Sequence, residues 1–390
     1  PLADVRVEVS PLVATVGAES HRLVVPAERV RAVVCAYRPK GGLGGPADWD
    51  APGSYDYIPY LLLYDAGLIR SDHARRRSSV PAAGARPDFL DDRPPLKPCA
   101  IAAGQMRQWL VMIPVPARGT PPGNYRGEAR FVSGGRVLAT LALELAVLPF
   151  APLPPAKLYG MYENLSLSGL ASTDPRYRLM LEDLVEAGIH NLWLTADAKT
   201  YRTPDGRKHV SFEDIERVMA LRGEVGMETE VAILVWGGTG FNFYAGGDPA
   251  PYAAAAKRLR AWWDLRGFTA DLAVYGVDEA SGDALRGHAA LYRAVAAEGV
   301  KVAAACAGGY FANAGDSIHY PIIESGMNPD DPTVADVAAA RAAGATVLNY
   351  GQPQLIYHDP LLYRVRAGFD LWRNVYDGWY PFTYAWGLDE

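Results

Sequence analysis

The chain has 390 residues, a formal net charge of -6, 49% hydrophobic residues and 21% charged ones. That length exceeds one typical core and points to two domains, and the composition is that of a folded chain. A negative balance with no basic excess argues against nucleic acid as the main partner, and no run of ~18 apolar residues is present to span a membrane.

Residues 1–150 read as an all-β sandwich. Val5-Arg-Val-Glu-Val9 alternates with period two, as does the stretch around Leu23–Val25, and Arg31–Ala36 is a further apolar run. Trp109–Val115 is a long strand. Pro121-Pro-Gly-Asn-Tyr125 then turns into Arg126–Val132, and Ser133-Gly-Gly135 makes a hairpin with Val137–Leu148, where Leu141, Leu143, Leu145 and Val147 share a face. Many short strands with turn signals fit a sandwich. Cys35, Cys99 and Cys306 show no CxxC spacing, so neither a zinc knot nor a disulfide framework is indicated, although a Cys35–Cys99 bridge is conceivable. The chain begins at Pro1 without Met, which fits loss of a leader and secreted or periplasmic residence; a cytoplasmic location stays open.

Phe150-Ala-Pro-Leu-Pro-Pro155 is a stiff joint, and residues 151–390 change period. Lys157–Tyr162 is a strand, and Asp174-Pro175 caps a helix running to Gly188. Asn191–Thr195 is a second strand, and Ser211-Phe-Glu-Asp214 resembles a capping box. Glu230–Trp236 is the third strand, with a helix over Tyr252–Leu265, and Leu272–Val277 the fourth, with a helix over Asp283–Glu298. Lys301–Ala305, Ile318–Ile323, Thr346–Tyr350 and Trp379–Trp386 complete eight strands, the last after a helix around Leu361–Val375. Eight strands with mostly helical connections match a (β/α)8 TIM-type barrel. It is irregular, because Gly308–Ser317 is too short for a full fifth helix; the sequence stops at Glu390, soon after the eighth strand, so a closing helix is either absent or lies beyond it.

In such barrels chemistry sits where the strands deliver side chains to the top face. The fourth strand ends in adjacent carboxylates, Asp278 and Glu279. Acids at a helix N-terminus also serve the dipole, but two in a partly dry cleft cannot both ionise freely. The other tips supply Asn164, Trp236, Tyr310, Glu324, Asn349, Tyr350, Tyr384 and Trp386, and Tyr275 lies on the fourth strand itself. Aromatic rings around amides and carboxylates suit a sugar, whose CH faces stack while its hydroxyls hydrogen-bond. A carbohydrate substrate is therefore expected.

Two carboxylates ~5–5.5 Å apart across the sugar would make a retaining glycosidase with its own nucleophile. Strand seven, however, offers Asn349-Tyr350-Gly351-Gln352, with no acid until Asp359. Neighbours on one tip fit another scheme better, in which a 2-acetamido oxygen of the substrate attacks the anomeric carbon. Glu279 then protonates the leaving oxygen and Asp278 holds the acetamido N–H. Glu324 is the spare acid for a two-carboxylate alternative on another sugar. A non-catalytic carbohydrate-binding protein is the third reading. Gly237-Gly-Thr-Gly240 lacks the Lys-Ser/Thr of a phosphate loop, no metal-ligand spacing is present, and no cofactor is expected. His319, within strand six, could face the cleft.

Pro122-Gly-Asn-Tyr-Arg-Gly127, Leu148-Pro-Phe-Ala-Pro-Leu-Pro154, Tyr275-Gly-Val-Asp278-Glu279 and the ending Arg366–Trp386, with Trp372, Asp377-Gly378 and Tyr384-Ala-Trp386, span most of the chain. In their order and spacing the chain resembles glycoside hydrolase family 123 and its uncharacterised β-sandwich-plus-barrel relatives. That resemblance implies hydrolysis of terminal β-linked N-acetylgalactosamine with the substrate's acetamido group as nucleophile. It maps Asp278 to the acetamido-orienting carboxylate and Glu279 to the general acid/base. Ala280 stands where family members often have Pro.

Overall fold

The computed structural model describes residues 1–39, 55–79, 94–116, 119–150, 153, 155–162, 172–194, 199–202, 208–235, 241–323, 333–350, 364–373 and 375–381. The chain divides into two compact units, Pro1–Pro154 and Pro155–Glu390, so the division falls at the far end of the Pro-rich joint.

The first unit is built of strands β1 (Leu2–Val9), β2 (Leu12–Val16), β3 (Glu19–Leu23), β4 (Val30–Pro39), β5 (Tyr55–Leu63), β6 (Arg70–Asp72), β7 (Arg77–Ser79), β8 (Cys99–Ile101), β9 (Gln108–Val111), β10 (Gly123–Ser133) and β11 (Arg136–Val147). One sheet runs β3-β2-β10-β1-β8 with β11 paired to β10; a second runs β5-β4-β9, and β6-β7 form a hairpin. Alternation decides the inner faces. Leu12, Ala14, Leu23 and Tyr125 form one core with Leu143, Leu145 and Val147, whereas Leu141, further up the β10–β11 hairpin, is 54% exposed. Ala32, Val34 and Leu63 form another core with Trp109. The Trp109 and Phe131 rings, one from each sheet, meet at 5.6 Å. The buried Tyr125 hydroxyl donates to the Pro121 carbonyl at 2.9 Å and pins the turn into β10. All three cysteines are free thiols.

The second unit is a closed parallel barrel of β12 (Leu158–Met161), β13 (Asn191–Leu194), β16 (Val231–Leu234), β17 (Asp271–Tyr275), β18 (Lys301–Cys306), β19 (Tyr320–Ile323), β20 (Leu348–Asn349) and β21 (Gly378–Trp379). A hairpin, β14 (Lys199–Arg202) with β15 (Lys208–Ser211), interrupts the second crossover. The described helices are α1 (Pro175–Glu186), α2 (Glu213–Glu224), α3 (Pro249–Arg266), α4 (Gly282–Ala296), α5 (Tyr310–Ala314), α6 (Thr333–Ala342) and α7 (Asp370–Arg373). None is long and apolar enough to cross a membrane.

Local chemistry explains the helix starts. Asp174 accepts from Arg176 N–H with Pro175 in the first turn, and Asp248-Pro249 repeats the device on α3. Of the capping box expected at Ser211, Ser211 Oγ accepts Glu213 N–H at 3.4 Å, but the helix starts one residue later. Phe212 is the N-cap without a side-chain bond, and Asp214 instead takes Ser172 Oγ–H at 2.6 Å and Arg217; Asp is too short to reach back as Glu does. The reduced fifth unit is a single short helix, α5, followed by a 3-10 turn at Gly315–Ser317.

Closure of the barrel depends on two glycines. A Cβ on Gly160 of β12 would collide with the Tyr380 ring and the Asn191 carbonyl, and one on Gly378 with the Leu158 carbonyl and the Leu348 side chain. At the N-terminal end of the strands, Lys301 Nζ and the Tyr320 hydroxyl both donate to Asp271 Oδ2 at 2.5 Å. His319 lies at that same end, its Nδ1 accepting from Val302 N–H, because strand six starts only at Tyr320; it therefore does not face the cleft.

Burial works to raise the Asp271 carboxyl, but the bonds from Lys301 and Tyr320 outweigh it and hold the group below its ordinary range. A depressed folded pKa means stability that is complete above the unfolded value of about 4 and lost as pH falls below it. Asp271→Asn is accordingly expected to flatten the acid-side fall of the melting temperature, measured from about pH 5 to pH 3. An unchanged slope would leave Asp271 without that role.

Candidate active site

Along β17, Ala273 and Tyr275 point into the barrel. Past Tyr275 the backbone carries Asp278 and Glu279 over the C-terminal mouth. Gly276 is required by space: a Cβ there would lie 2.7 Å from the Tyr292 hydroxyl. That hydroxyl, from α4, accepts Val277 N–H at 2.9 Å. Tyr244, in the loop after β16, accepts Asp278 N–H at 3.1 Å, and Ala280 bridges to Cys306 of the next strand. The tip is thus fixed by side chains from the neighbouring elements.

The two carboxylates are held by different tyrosines. The Tyr275 hydroxyl donates to Asp278 Oδ1 at 2.5 Å. With its proton so committed, Tyr275 accepts from Ala305 N–H at 3.2 Å and lies 3.3 Å from the Tyr162 hydroxyl. The Tyr350 hydroxyl, from across the mouth, donates to Glu279 Oε1 at 2.9 Å. Consecutive side chains on an extended backbone point to opposite faces. Glu279 breaks that alternation with φ of 50°, in the left-handed region. Both acids thereby reach tyrosines of one interior cluster.

That cluster is aromatic. Tyr162 stands edge-on to Trp193 at 4.2 Å and to Tyr380 at 5.2 Å, and Trp193 meets Tyr275 at 4.5 Å. Beneath it Ile233, Ala273, Ala303, Ile322 and Leu348 fill the barrel. Charge over such a floor is costly. Partial burial pushes the Asp278 carboxyl above the usual range, the Tyr275 bond works against this, and the neighbouring Glu279 charge adds to it. Burial likewise holds Tyr275 and Tyr162 well above ordinary phenols, so both remain neutral donors.

The structure thus brings together Asp278, Glu279, Tyr275 and Tyr350. It places two predicted residues elsewhere. Leu348 and Tyr350 face the interior, so Asn349 between them faces away; it is fully buried and ties its Nδ2 to the Ile323 carbonyl at 3.2 Å. Tyr310 follows strand five as the first residue of α5 and is buried beside Cys306, Asp336 and Tyr376, outside the interior aromatic cluster. Asn164, Trp236, Glu324, Tyr384 and Trp386 lie outside the described residues. Sequence reasoning missed Tyr162, Tyr244 and Tyr292 as supports. Tyr162 alone carried a signal, as the last residue of strand one.

Fold and site together define a two-unit protein, a β-sandwich followed by a (β/α)8 barrel, with adjacent acids crowning the fourth barrel strand. No family model matches the chain, and no curated protein matches it. Among solved structures it is similar to a family 123 glycoside hydrolase from Clostridium perfringens, with TM-score 0.61 and 14% identity, over 98% of this chain and 70% of that one. It is also similar to a family 39 glycoside hydrolase from the gut symbiont Bacteroides cellulosilyticus WH2, with TM-score 0.40 and 13% identity over 68% and 64%. A family 5 glycoside hydrolase from Bacteroides vulgatus ATCC 8482 gives TM-score 0.40 and 13% identity over 59% of each chain. The first likeness shows a shared fold over nearly the whole chain; the others are too loose to add to it.

Proposed function

We propose that this protein is a glycoside hydrolase that removes a terminal β-linked N-acetylgalactosamine, with retention, using the substrate's 2-acetamido group as nucleophile. The observation that carries the reading is the pair of adjacent acids, both turned into one mouth by the left-handed Glu279 and each held by its own tyrosine. Acids so close along the chain do not flank a glycosidic bond from opposite sides. They can share one reducing-end face of a sugar. Glu279 gives its proton to the leaving oxygen as the anomeric bond breaks. The acetamido oxygen then bonds to the anomeric carbon, and Asp278 accepts the acetamido N–H and offsets the positive charge of the oxazolinium ion. Water, deprotonated by Glu279, reopens that ring. The fold shared with the Clostridium perfringens protein, which hydrolyses glycolipid glycans, supports the same reading.

The reading is tested with p-nitrophenyl glycosides and a thiazoline analogue of N-acetylgalactosamine. Turnover of the β-N-acetylgalactosaminide, inhibition by the thiazoline and no turnover of the plain β-galactoside are expected. Equal turnover of the plain galactoside would rule the acetamido mechanism out.

The raised Asp278 adds a pH test. Asp278 acts ionised, so kcat/KM should fall on the acid side at a pH above the ~4 of an ordinary Asp. Tyr275→Phe removes the hydrogen bond that favours the carboxylate and should move this limb to still higher pH. A limb that stays put or moves down would show that Asp278 is not the titrating group.

A further inference from the structure

We propose that Tyr244 is a stacking platform for a pyranose ring bound across Asp278 and Glu279, an inference that rests on the glycosidase reading above. The segment Phe241-Asn-Phe-Tyr244 buries two rings and leaves the third open: Phe241 is 3% exposed, Phe243 1% and Tyr244 51%. The exposed ring is nevertheless fixed. Its hydroxyl takes Asp278 N–H at 3.1 Å, which places it at the acid pair on the strand-three side, while Glu279 is drawn the other way by Tyr350.

The support behind Tyr244 is built with equal care. Phe243 stacks on Tyr252 of α3 at 5.2 Å. The Tyr252 hydroxyl reaches the carbonyls of Asn242 at 2.6 Å and Gly246 at 3.2 Å, closing the turn from both ends. His288 of α4 places Nε2 2.9 Å from the Phe243 carbonyl, the peptide that joins Phe243 to Tyr244. An irregular segment with its carbonyls satisfied by two helices loses little freedom when a ligand arrives, and such preorganisation favours binding. A rigid, half-open aromatic ring beside two carboxylates presents the surface that the apolar CH face of a sugar seeks, while the acids take its polar edge.

The test separates the ring from its hydroxyl. Tyr244→Phe and Tyr244→Trp keep a flat face and lose the bond to Asp278 N–H; Tyr244→Ala loses both. Affinity for methyl β-N-acetylgalactosaminide is measured by calorimetry on the full chain in a Glu279→Gln background, and KM for the nitrophenyl glycoside in the Glu279 enzyme. The expected result is that Tyr244→Ala weakens binding and raises KM by about tenfold, the worth of one aromatic contact, while the Phe and Trp variants stay within about threefold. If the Ala variant fails to fold, Tyr244→Leu, with bulk but no flat face, carries the same expectation. Binding by the Ala variant equal to that of the parent overturns the platform, and the glycosidase reading survives. A loss in Tyr244→Phe as large as in Tyr244→Ala also overturns it, since Tyr244 would then act only through Asp278 N–H. If the Glu279→Gln parent does not bind the methyl glycoside, the reading and the platform fail together.

Discussion

Glu279→Gln is expected to lower kcat for an alkyl β-N-acetylgalactosaminide by about 100- to 10,000-fold, the span of general acid catalysis, with affinity for the sugar little changed. Gln fills the same volume and can still meet the Tyr350 hydroxyl, so the loss is chemical. On the nitrophenyl glycoside, whose leaving group departs with little need of a proton, the first step should suffer less than the second. A burst of nitrophenol followed by slow turnover is then expected, because on the proposed mechanism Glu279 also activates the water. Asp278→Asn should cost a comparable factor on both substrates, since a neutral amide cannot offset oxazolinium charge. Undiminished turnover in Glu279→Gln, measured in a stopped-flow assay, would remove the acid from the mechanism.

Gly160→Ala and Gly378→Ala are expected to have the largest effects on stability. In each the added methyl meets backbone as well as side chain: the Asn191 carbonyl and the Tyr380 ring for the first, the Leu158 carbonyl for the second. Neither carbonyl can swing aside, because both belong to strands of the closed barrel. Overpacking of this kind costs about 3 kcal/mol or more, beyond the usual cost of an added methylene. A urea titration of the full chain should show the barrel's transition shifted down or lost while that of the N-terminal unit stays in place. Gly287→Ala on α4, where a Cβ meets nothing within 4 Å, is the matched control.

The barrel strands were legible because each is a short apolar run bounded by polar or glycine residues, and all eight begin within two residues of the sequence assignment. The Asp174-Pro175 helix start was legible for a local reason, since cap and first turn are adjacent in the chain. Parity at the strand ends was not. Asn349 closes strand seven, Tyr350 follows it and Tyr310 follows strand five, yet it is Tyr350 that donates to Glu279; one residue of offset sends a side chain to the other face. The tyrosines around the Asp278–Glu279 tip come from the ends of strands one, four and seven, one loop and one helix. No local pattern announces that such hydroxyls converge. The glycines of closure were equally silent, because their necessity arises from contacts with neighbouring strands distant in the sequence.

The left-handed backbone at Glu279 reaches further than the geometry of the site. Such a conformation costs a non-glycine residue roughly 1 kcal/mol or more. On the proposed mechanism the protein keeps at this position a residue its own backbone disfavours, in exchange for a proton donor aimed at the leaving oxygen. A descendant that abandoned turnover but kept the scaffold would be released from that compromise. Glycine would settle there most comfortably, and asparagine next. Which residue occupies this one position in kindred chains should therefore sort the working enzymes from those that have become mere binders.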